Sequence, residues 1–341
     1  MKRRFHPLAC GLLLVSVALL GVVLFASRGL QTAQEIPVLM YHDIADQPGD
    51  DVWSVSTDEF RRQVAGLKAA GYRTILPKDI SRFYRWKFWL PRKPVLITFD
   101  DGLLSVKTKA EPILREAGFQ AVVYLITGFI ADTHAERMKY RSYDCLTWEE
   151  VNEMLSRKTI AFGIHSHSHA PNPARLALEV GECRHIFKRK TGVRTRDFCY
   201  PFGAAPDVLR QAVTNGGYWT AIICEDQLFT NAPNADLFRI PRVSVYGGTH
   251  AFTVSAGTIS ENHEYSAEVQ NNGIPLPVHG LLRHVPSGRS WPLPPSERLG
   301  PAPQRWSWPH LPPDLDASSL QVEIWEQNGL FRYFPESPFH P

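Results

Sequence analysis

The sequence is poor in cysteine and lacks several motifs that define common function classes. Its five cysteines form no C-x-x-C pair, and a chain of 341 residues does not need disulfides. No G-x-S-x-G motif occurs, which argues against a serine esterase of the hydrolase type. Four basic residues and no acidic residue precede position 29, so the rest of the chain has one net negative charge despite a formal total of +3. Nothing in this balance supports a nucleic-acid-binding surface.

One long apolar run is present, at residues 8–26, and it follows the basic cluster Lys2, Arg3 and Arg4. The hydrophobic region of a secretory signal peptide usually has ~7 to 15 residues, whereas a membrane-spanning helix needs ~17 to 25. We therefore expect residues 1–30 to form an uncleaved anchor in the inner membrane, with a secreted form after signal cleavage as the alternative. The basic flank should stay in the cytoplasm, which places the remainder in the periplasm or outside the cell.

Residues 36–257 alternate between apolar strands and amphipathic helices. Because the strands are apolar without alternation, they should form a parallel sheet that is covered on both faces or closed into a barrel. The pattern predicts strands at 36–42, 94–99, 121–126, 159–164, 197–200 and 221–224, and helices at 57–71, 105–117, 147–155, 175–191 and 206–216.

The pattern changes in residues 258–341. Nine prolines between 286 and 313 exclude a helix or a central strand there and predict a linker or extended loop. The flanking stretches 250–256 and 320–325 alternate like strands, so we expect a small β-rich extension of open role. Four tryptophans in it either stack on sugars or pack in a core, namely Trp291, Trp306, Trp308 and Trp325.

Polar residues follow several predicted strands directly. Asp100 and Asp101 come after one strand, His165 and His169 after another, and the segment 201–203 after a third. In folds of this class, ligands bind at the carboxyl ends of the strands. An Asp-Asp-Gly alone is more often a turn, yet three motifs here fall on one end of the sheet.

These residue types predict a hydrolytic metal site. One carboxylate and two imidazoles suit a zinc-like ion with an open position for water, and the His-x-x-x-His spacing lets both rings reach one ion. The second carboxylate can then accept a proton from that water. Such a donor set most favours Zn, with Co or Ni as alternatives.

The motifs resemble those of polysaccharide deacetylases of carbohydrate esterase family 4. Thr98 to Gly102 is similar to the first family motif, His165 to His169 to the second and Tyr200 to Gly203 to the third, while Pro37 to His42 resembles the poly-β-1,6-N-acetylglucosamine deacetylase subgroup. The resemblance implies a distorted (β/α)7 barrel and removal of N-acetyl groups from an acetylated polysaccharide. That substrate would be a poly-β-1,6-GlcNAc-like exopolysaccharide, or a peptidoglycan- or chitin-like glycan.

By the same resemblance, Asp101, His165 and His169 bind the metal and Asp100 is the general base. The backbone N–H of Phe202 would stabilise the oxyanion. Cys199 stands where many members have an arginine, so Arg242 is our candidate for orienting Asp100.

In this family a late motif carries the general acid, and that motif has no clear copy in this chain. His279 and His284 are the two candidates for the acid. We interpret His42 as a residue that ties down the first strand, with substrate contact as the alternative. Without an acid, the second hypothesis is a catalytically silent carbohydrate-binding protein that retains the metal site.

Overall fold

The computed structural model describes residues 33–333 except 50, 52, 171–172, 226, 247–251, 256, 272–277, 293–302 and 327–331. The anchor predicted in residues 8–26 lies outside that part of the chain. Among the residues described, no helix has both the length and the apolar character needed to cross a bilayer.

A curled sheet of parallel strands forms the centre of the protein. Its order is β12-β11-β10-β7-β6-β2-β14, with the short β5 also paired to β6, and every pairing within it is parallel. A parallel bridge between Ile222 and Ile240 brings the two ends of the sheet together. The α/β class predicted from the sequence is confirmed, and the curvature agrees with a (β/α)7 barrel. The strands up to this point are β1 (Glu35–Ile36), β2 (Val38–Tyr41), β3 (Asp43–Ala45), β4 (Ser54–Ser56), β5 (Arg73–Thr74), β6 (Pro94–Phe99), β7 (Ala121–Leu125), β8 (Lys139–Tyr140), β9 (Tyr143–Asp144), β10 (Ile160–Ile164), β11 (Asp197–Cys199), β12 (Thr220–Ile222), β13 (Phe229–Thr230) and β14 (Val243–Ser244).

Helices cover the outer face of this sheet, and local signals set their ends. Thr147 and Glu150 form the capping box that opens α4, and Gly118 ends α3 in a left-handed conformation with φ of 73°. Two predicted helices begin with a π-helical segment, at Val106–Ala110 and Ala177–Glu182. The α-helices are α1 (Thr57–Ala69), α2 (Pro77–Trp86), α3 (Glu111–Ala117), α4 (Trp148–Arg157), α5 (Cys183–Thr191) and α6 (Asp207–Asn215).

The sequence analysis missed α2, which closes the amino end of the barrel. Its start carries ordinary signals, since Pro77 is the first helical residue and the Asp79 carboxylate accepts a hydrogen bond of 2.9 Å from the Leu76 N–H. Ile80 of this helix packs inside the barrel, in one cluster with Leu96 and other inward-facing side chains of the strands. Neighbouring side chains of the same strands face the helices instead, which explains why the strands show no polar alternation.

Residues after 251 form two small antiparallel sheets, as the β-rich interpretation predicts. The prediction of a linker between 286 and 313 is wrong in part, because β19 and β20 lie there. Among the described strands, each of the two has one partner, and β20 occupies a proline-free interval. Trp306 and Trp308 are buried in the core of this region and are not available for sugar stacking. The strands are β15 (Phe252–Val254), β16 (Thr258–Ile259), β17 (Tyr265–Asn271), β18 (Val278–His284), β19 (Ser290–Pro292), β20 (Gln304–Trp308), β21 (Leu320–Glu326) and β22 (Arg332–Tyr333).

Candidate active site

Three metal-donor atoms meet at the carboxyl end of the parallel sheet. Asp101 follows β6, and His165 and His169 belong to the loop after β10. The Nε2 atoms of the two histidines are 3.1 Å apart, and Asp101 Oδ1 lies 3.7 Å and 3.8 Å from them. All three side chains are buried. The structure thus brings together the three residues that the sequence analysis assigned to the metal.

The spacing of these donors fits a tetrahedral ion. Bonds of 2.0–2.1 Å at tetrahedral angles separate neighbouring ligand atoms by about 3.3 Å, close to the three distances found here. Asp101 Oδ1 is also buried without a hydrogen-bond partner among the described residues, although such an atom normally costs ~1 to 3 kcal/mol. A cation at this point would satisfy it. The donor set therefore fits a divalent metal.

Hydrogen bonds orient both imidazole rings with Nε2 toward the shared point. His165 Nδ1 donates to the Cys199 carbonyl at 2.8 Å, which leaves a lone pair on Nε2. His169 Nδ1 lies 2.8 Å from the Tyr140 hydroxyl, whose oxygen accepts when the ring has the same tautomer. Such outer partners set the tautomer and ring direction of a metal-binding histidine.

A buried glutamate shapes the loop that carries the two histidines. Glu179 accepts hydrogen bonds from the N–H groups of His167 and Ser168, each at 2.9 Å, and from the Ser168 hydroxyl at 2.7 Å. His169 has a left-handed backbone with φ of 56°, and the Ser166 hydroxyl accepts a bond from its N–H. The His167 ring turns away and pairs with Thr127. Glu179 lies ten residues beyond the motif, so no local pattern identified it in the sequence analysis.

The second carboxylate, Asp100, is held by a buried arginine. Arg242 donates from Nη1 to Oδ1 at 2.7 Å and from Nη2 to Oδ2 at 2.8 Å, while its Nε donates to the Ile223 carbonyl at 3.1 Å. The Cys199 thiol lies 3.5 Å from Asp100 Oδ2. The structure therefore places Arg242 on Asp100, in the position that the sequence analysis suggested for it, and Cys199 lies beside the pair.

The two neighbouring aspartates have opposite electrostatic environments. Burial would raise the pKa of Asp100, but the charges of Arg242 and His165 outweigh it and hold the pKa well below its usual range. Burial, together with the adjacent Asp100 charge, raises the pKa of Asp101 to about 7. Burial also lowers the pKa of His169 to about 3, so its ring is neutral and able to ligate. A cation would offset the cost of ionising Asp101.

His42 lies in the same site, although it was interpreted as a residue that ties down the first strand. It follows β2, and its Nε2 is 3.9 Å from Asp100 Oδ2. Trp53 packs on the ring at 4.7 Å between centroids. Burial lowers the pKa of His42 to about 4, against the opposing effect of Asp100. Its position directly after a buried strand was the signal that could have identified it.

Of the two histidines proposed as general acids, only His284 has a described side chain, and it lies outside the site. His284 ends β18, its Nδ1 lies 2.6 Å from the Ser287 hydroxyl, and it does not line the cavity formed by the described residues. His279 lies on the same strand, and its side chain is outside the described part of the structure. Phe202 does reach the site: its ring is 70% exposed and packs 4.5 Å from the His169 ring.

An open cavity of about 240 Å³ surrounds these groups. Its floor contains Asp100, Asp101 and the two histidines, and Arg141 lines it from the turn between β8 and β9. Asp51 and Trp53 line it too, and Asp51 accepts a hydrogen bond from the Tyr143 hydroxyl. The cavity therefore combines metal-donor atoms with aromatic walls, a composition typical of ligand-binding pockets.

Comparison with known proteins agrees with this geometry. Residues 90–221 match the family model for polysaccharide deacetylases, a range that includes the aspartates and both histidines but neither His42 nor Arg242. The chain is 27% identical over 195 residues to YxkH of Bacillus subtilis, which is named as a polysaccharide deacetylase. That match covers 56% of this chain and 65% of the relative, so the chain spans just under two thirds of the relative's length.

A second relative and a solved structure extend the comparison. The poly-β-1,6-N-acetyl-D-glucosamine N-deacetylase of Staphylococcus epidermidis is 25% identical over 205 residues, which cover 57% of this chain and 68% of that protein. The Streptococcus pyogenes deacetylase PplD, solved in complex with acetate, has the same fold, with a TM-score of 0.55 and 23% identity over 63% of this chain and 94% of PplD. The chain therefore contains a polysaccharide deacetylase domain of carbohydrate esterase family 4, a family of hydrolases.

Proposed function

We propose that the protein is a metal-dependent N-deacetylase of a GlcNAc-containing polysaccharide, with Zn as the preferred ion. The observation that carries the proposal is the pair of neighbouring carboxylates with different surroundings: Asp101 shares one point with two neutral imidazoles, while Asp100 stands beside it, bound by an arginine. The names of the relatives favour a β-1,6-linked substrate. Co and Ni fit the same donors.

Asp101, His165 and His169 would hold the metal ion, which would act as a Lewis acid toward water and the acetamide carbonyl. Asp100 is ionised at all ordinary pH values because Arg242 stabilises its charge. It is therefore ready to accept the proton of the attacking water, as a general base. Arg242 is a positioning residue, since its two hydrogen bonds set the plane of the carboxylate.

His42 is the group that we propose as the general acid, in place of His279 and His284. It enters the reaction uncharged, since its pKa is about 4. The proton that it donates is then the one that water gave to Asp100, whose Oδ2 is 3.9 Å from Nε2. The water oxygen joins the acetyl carbon, the C–N bond breaks, and the relayed proton leaves with the glucosamine nitrogen. The products are acetate and a free amine.

The oxyanion of the tetrahedral intermediate needs a hydrogen-bond donor, and the Phe202 N–H is our candidate. Phe202 has a φ of 59°, and Gly203 follows it with a φ of 67°. A Cβ at Gly203 would lie 2.3 Å from Cys224 Cβ, so only glycine permits this turn. The turn holds Phe202 and Gly203 at the wall of the cavity, where the Phe202 ring packs on the His169 ring.

We further propose that the domain acts outside the cytoplasm. The support is the apolar run 8–26 behind a basic cluster, together with a substrate class that is found at the cell surface. A cleaved, secreted form would keep the same site. Fractionation with an antibody to the catalytic domain separates the membrane-bound form from the secreted one.

Acetate release from partially acetylated β-1,6-glucosamine oligomers tests the activity. We expect a chelator to abolish release and added Zn, Co or Ni to restore it. Asp100→Asn should lower kcat by roughly 10³-fold while the protein still binds one metal ion, because Asp100 is not a ligand. Asp101→Asn should lose metal and activity together.

The same assay distinguishes the enzyme from a silent carbohydrate-binding protein. Metal-loaded wild type that binds the oligomers but releases no acetate would support the binding protein and reject the enzyme. Release that survives both Asp100→Asn and chelation would reject the proposed mechanism. A matched panel of β-1,4-linked chitin oligomers tests the linkage preference independently of the chemistry.

A further inference from the structure

The amino end of the barrel, opposite the active site, exposes a cluster of large aromatic side chains. Trp86 ends α2, and Phe88 and Trp89 follow in the connection to β6. Their exposed fractions are 52%, 52% and 54%, although residues of this type are usually covered. We call these three residues the aromatic face. They are more than a scatter of single residues, because they fall within four consecutive positions.

A basic cleft adjoins the aromatic face. It has a volume of about 330 Å³ and lies between α5 and the loops that lead into β11 and β12. Arg184, Lys188, Arg194 and Arg196 line it, and none of these four is within ion-pair distance of a carboxylate of the described residues. A histidine, His185, also lines it, and its Nδ1 lies 3.6 Å from a Glu182 carboxylate oxygen. The cleft therefore presents uncompensated positive charge.

Trp219 joins the two features into one surface. Its ring meets Trp86 edge-on at 5.8 Å between centroids. The guanidinium of Arg196, from the basic cleft, lies 3.9 Å from the centre of the same ring, and that of Arg85 lies 4.4 Å from it. Cation–π stacking thus holds two arginines beside the aromatic face. Exposed aromatic rings bordered by cations are typical of surfaces that rest on anionic lipid headgroups.

The entry point of the chain lies beside this surface. The Asn231 N–H donates to the Gln34 carbonyl at 3.1 Å, and the Tyr84 hydroxyl donates to the Ala232 carbonyl at 2.7 Å. Gln34 is therefore close to the end of α2. Only seven residues separate it from Ala26, the end of the apolar run, so a fully extended connection spans at most about 28 Å. A bilayer that contains the run would lie near the aromatic face.

We propose that the aromatic face and the basic cleft form a docking surface for an anionic phospholipid bilayer, in addition to the anchor. The rings of Trp86, Phe88 and Trp89 would lie at headgroup level, and the cleft would accept lipid phosphates. A glycan fits less well: the product of the proposed deacetylation carries amines, which the cations of the cleft would repel. Docking in this way directs the active site away from the membrane, toward polymer outside it.

Tryptophan fluorescence of the full chain in lipid nanodiscs tests the proposal. Residues 1–32 contain no tryptophan, so quenching by brominated acyl chains reports on the folded domain and not on the anchor. We expect quenching in discs of phosphatidylcholine mixed with phosphatidylglycerol. The double variant Trp86→Phe with Trp89→Phe should lose most of it, whereas the control Trp291→Phe should keep it.

Neutralising the cleft tests the electrostatic part. Lys188→Gln with Arg194→Gln should lower the ratio of docked to undocked domain in the mixed discs by about fivefold for each charge removed. The matched control Arg175→Gln with Arg289→Gln, which also removes two exposed cations, should change nothing. Added salt should weaken docking of the wild type and narrow the difference between the variants.

Three results would overturn the proposal. One is equal lipid quenching in wild type and in the Trp86→Phe, Trp89→Phe variant. Another is quenching that does not change when phosphatidylglycerol is omitted. The third is an emission change that follows addition of glucosamine polymer and not of lipid, and that the Trp86→Phe, Trp89→Phe variant loses; it would assign the surface to a glycan. Acetate release from soluble oligomers, measured in detergent, should be the same in all these variants. If the wild type releases no acetate, that result counts against the proposed function and not against lipid docking.

Discussion

The carboxyl and amino ends of the parallel sheet use cations in opposite ways. At the carboxyl end, Arg242 is 1% exposed and makes two hydrogen bonds to one carboxylate. At the amino end, Arg85 and Arg196 stack on Trp219 at the surface. A buried ion pair costs several kcal/mol in lost solvation and often contributes little net stability. Within the described part of the chain, an ion pair with both side chains this deeply buried occurs at the carboxyl end, where we propose a chemical task for the carboxylate.

Aromatic residues follow the same contrast. Trp53 at the carboxyl end packs on His42 and lines a concave cavity. Trp86, which ends α2, and Trp89, in the connection to β6, are exposed at the amino end. A ring in a cavity can orient a small group such as a sugar, whereas exposed neighbouring rings suit an extended surface. Variants at the two ends should therefore affect different measurements.

The largest effect is expected at the carboxyl end, from His42→Gln. Loss of the proton donor should lower kcat on N-acetyl oligomers by roughly 10³-fold, while metal content stays the same. An aryl acetate such as p-nitrophenyl acetate has a leaving group that needs no proton, so its hydrolysis should fall much less. Equal losses on both substrates would show that His42 supports the fold of the site and does not donate a proton.

Arg242→Gln should have the next largest effect, because it leaves the Asp100 charge buried without its partner. We expect a loss of about 3 kcal/mol in the free energy of unfolding at neutral pH, measured by urea denaturation. The pKa of Asp100 should rise, which moves the acidic limb of the kcat profile to higher pH. Arg242→Lys keeps a charge but not the paired geometry, so it should restore stability more than kcat.

The sequence allowed the chemistry to be predicted better than its surroundings. Asp100, Asp101, His165 and His169 were identifiable because each lies within a short motif at a strand end, and Arg242 because a missing motif arginine required a substitute. His42 obeys the same strand-end rule, but a single histidine has no spacing to support it. The aromatic face was not predicted, since whether Trp86 is exposed depends on how α2 closes the barrel.

A smaller effect is expected from Glu150, which supports the loop beside the site. Its carboxylate accepts from both terminal nitrogens of Arg137 at 2.8 Å and 3.0 Å, and from the Thr147 N–H at 2.9 Å. Burial opposes its ionisation, but these bonds lower its pKa from 4.5 to about 2. The stabilisation is therefore complete above pH ~4.5 and is lost as pH falls toward 2.

Glu150→Gln should thus lower the free energy of unfolding by about 2 kcal/mol at pH 7, and the difference from wild type should shrink between pH 4.5 and 2. Urea denaturation at several pH values measures this. Glu149→Gln is the matched control, because Glu149 is an exposed neighbour on the same helix and has no hydrogen bond to Arg137. A difference that does not depend on pH would assign the effect to packing.

The smallest effect is expected at the amino end, from Trp219→Leu. Two guanidinium groups stack on this ring, and each such contact contributes about 0.5 to 1 kcal/mol at a surface. We expect a loss of about 1 kcal/mol in unfolding free energy and no change in kcat on soluble oligomers. Arg85→Met with Trp219→Leu should lose less than the sum of the single losses, because the two variants remove one shared contact. A fall in kcat with stability unchanged would contradict the separation of the two ends, since it would link the amino-end surface to the distant chemistry.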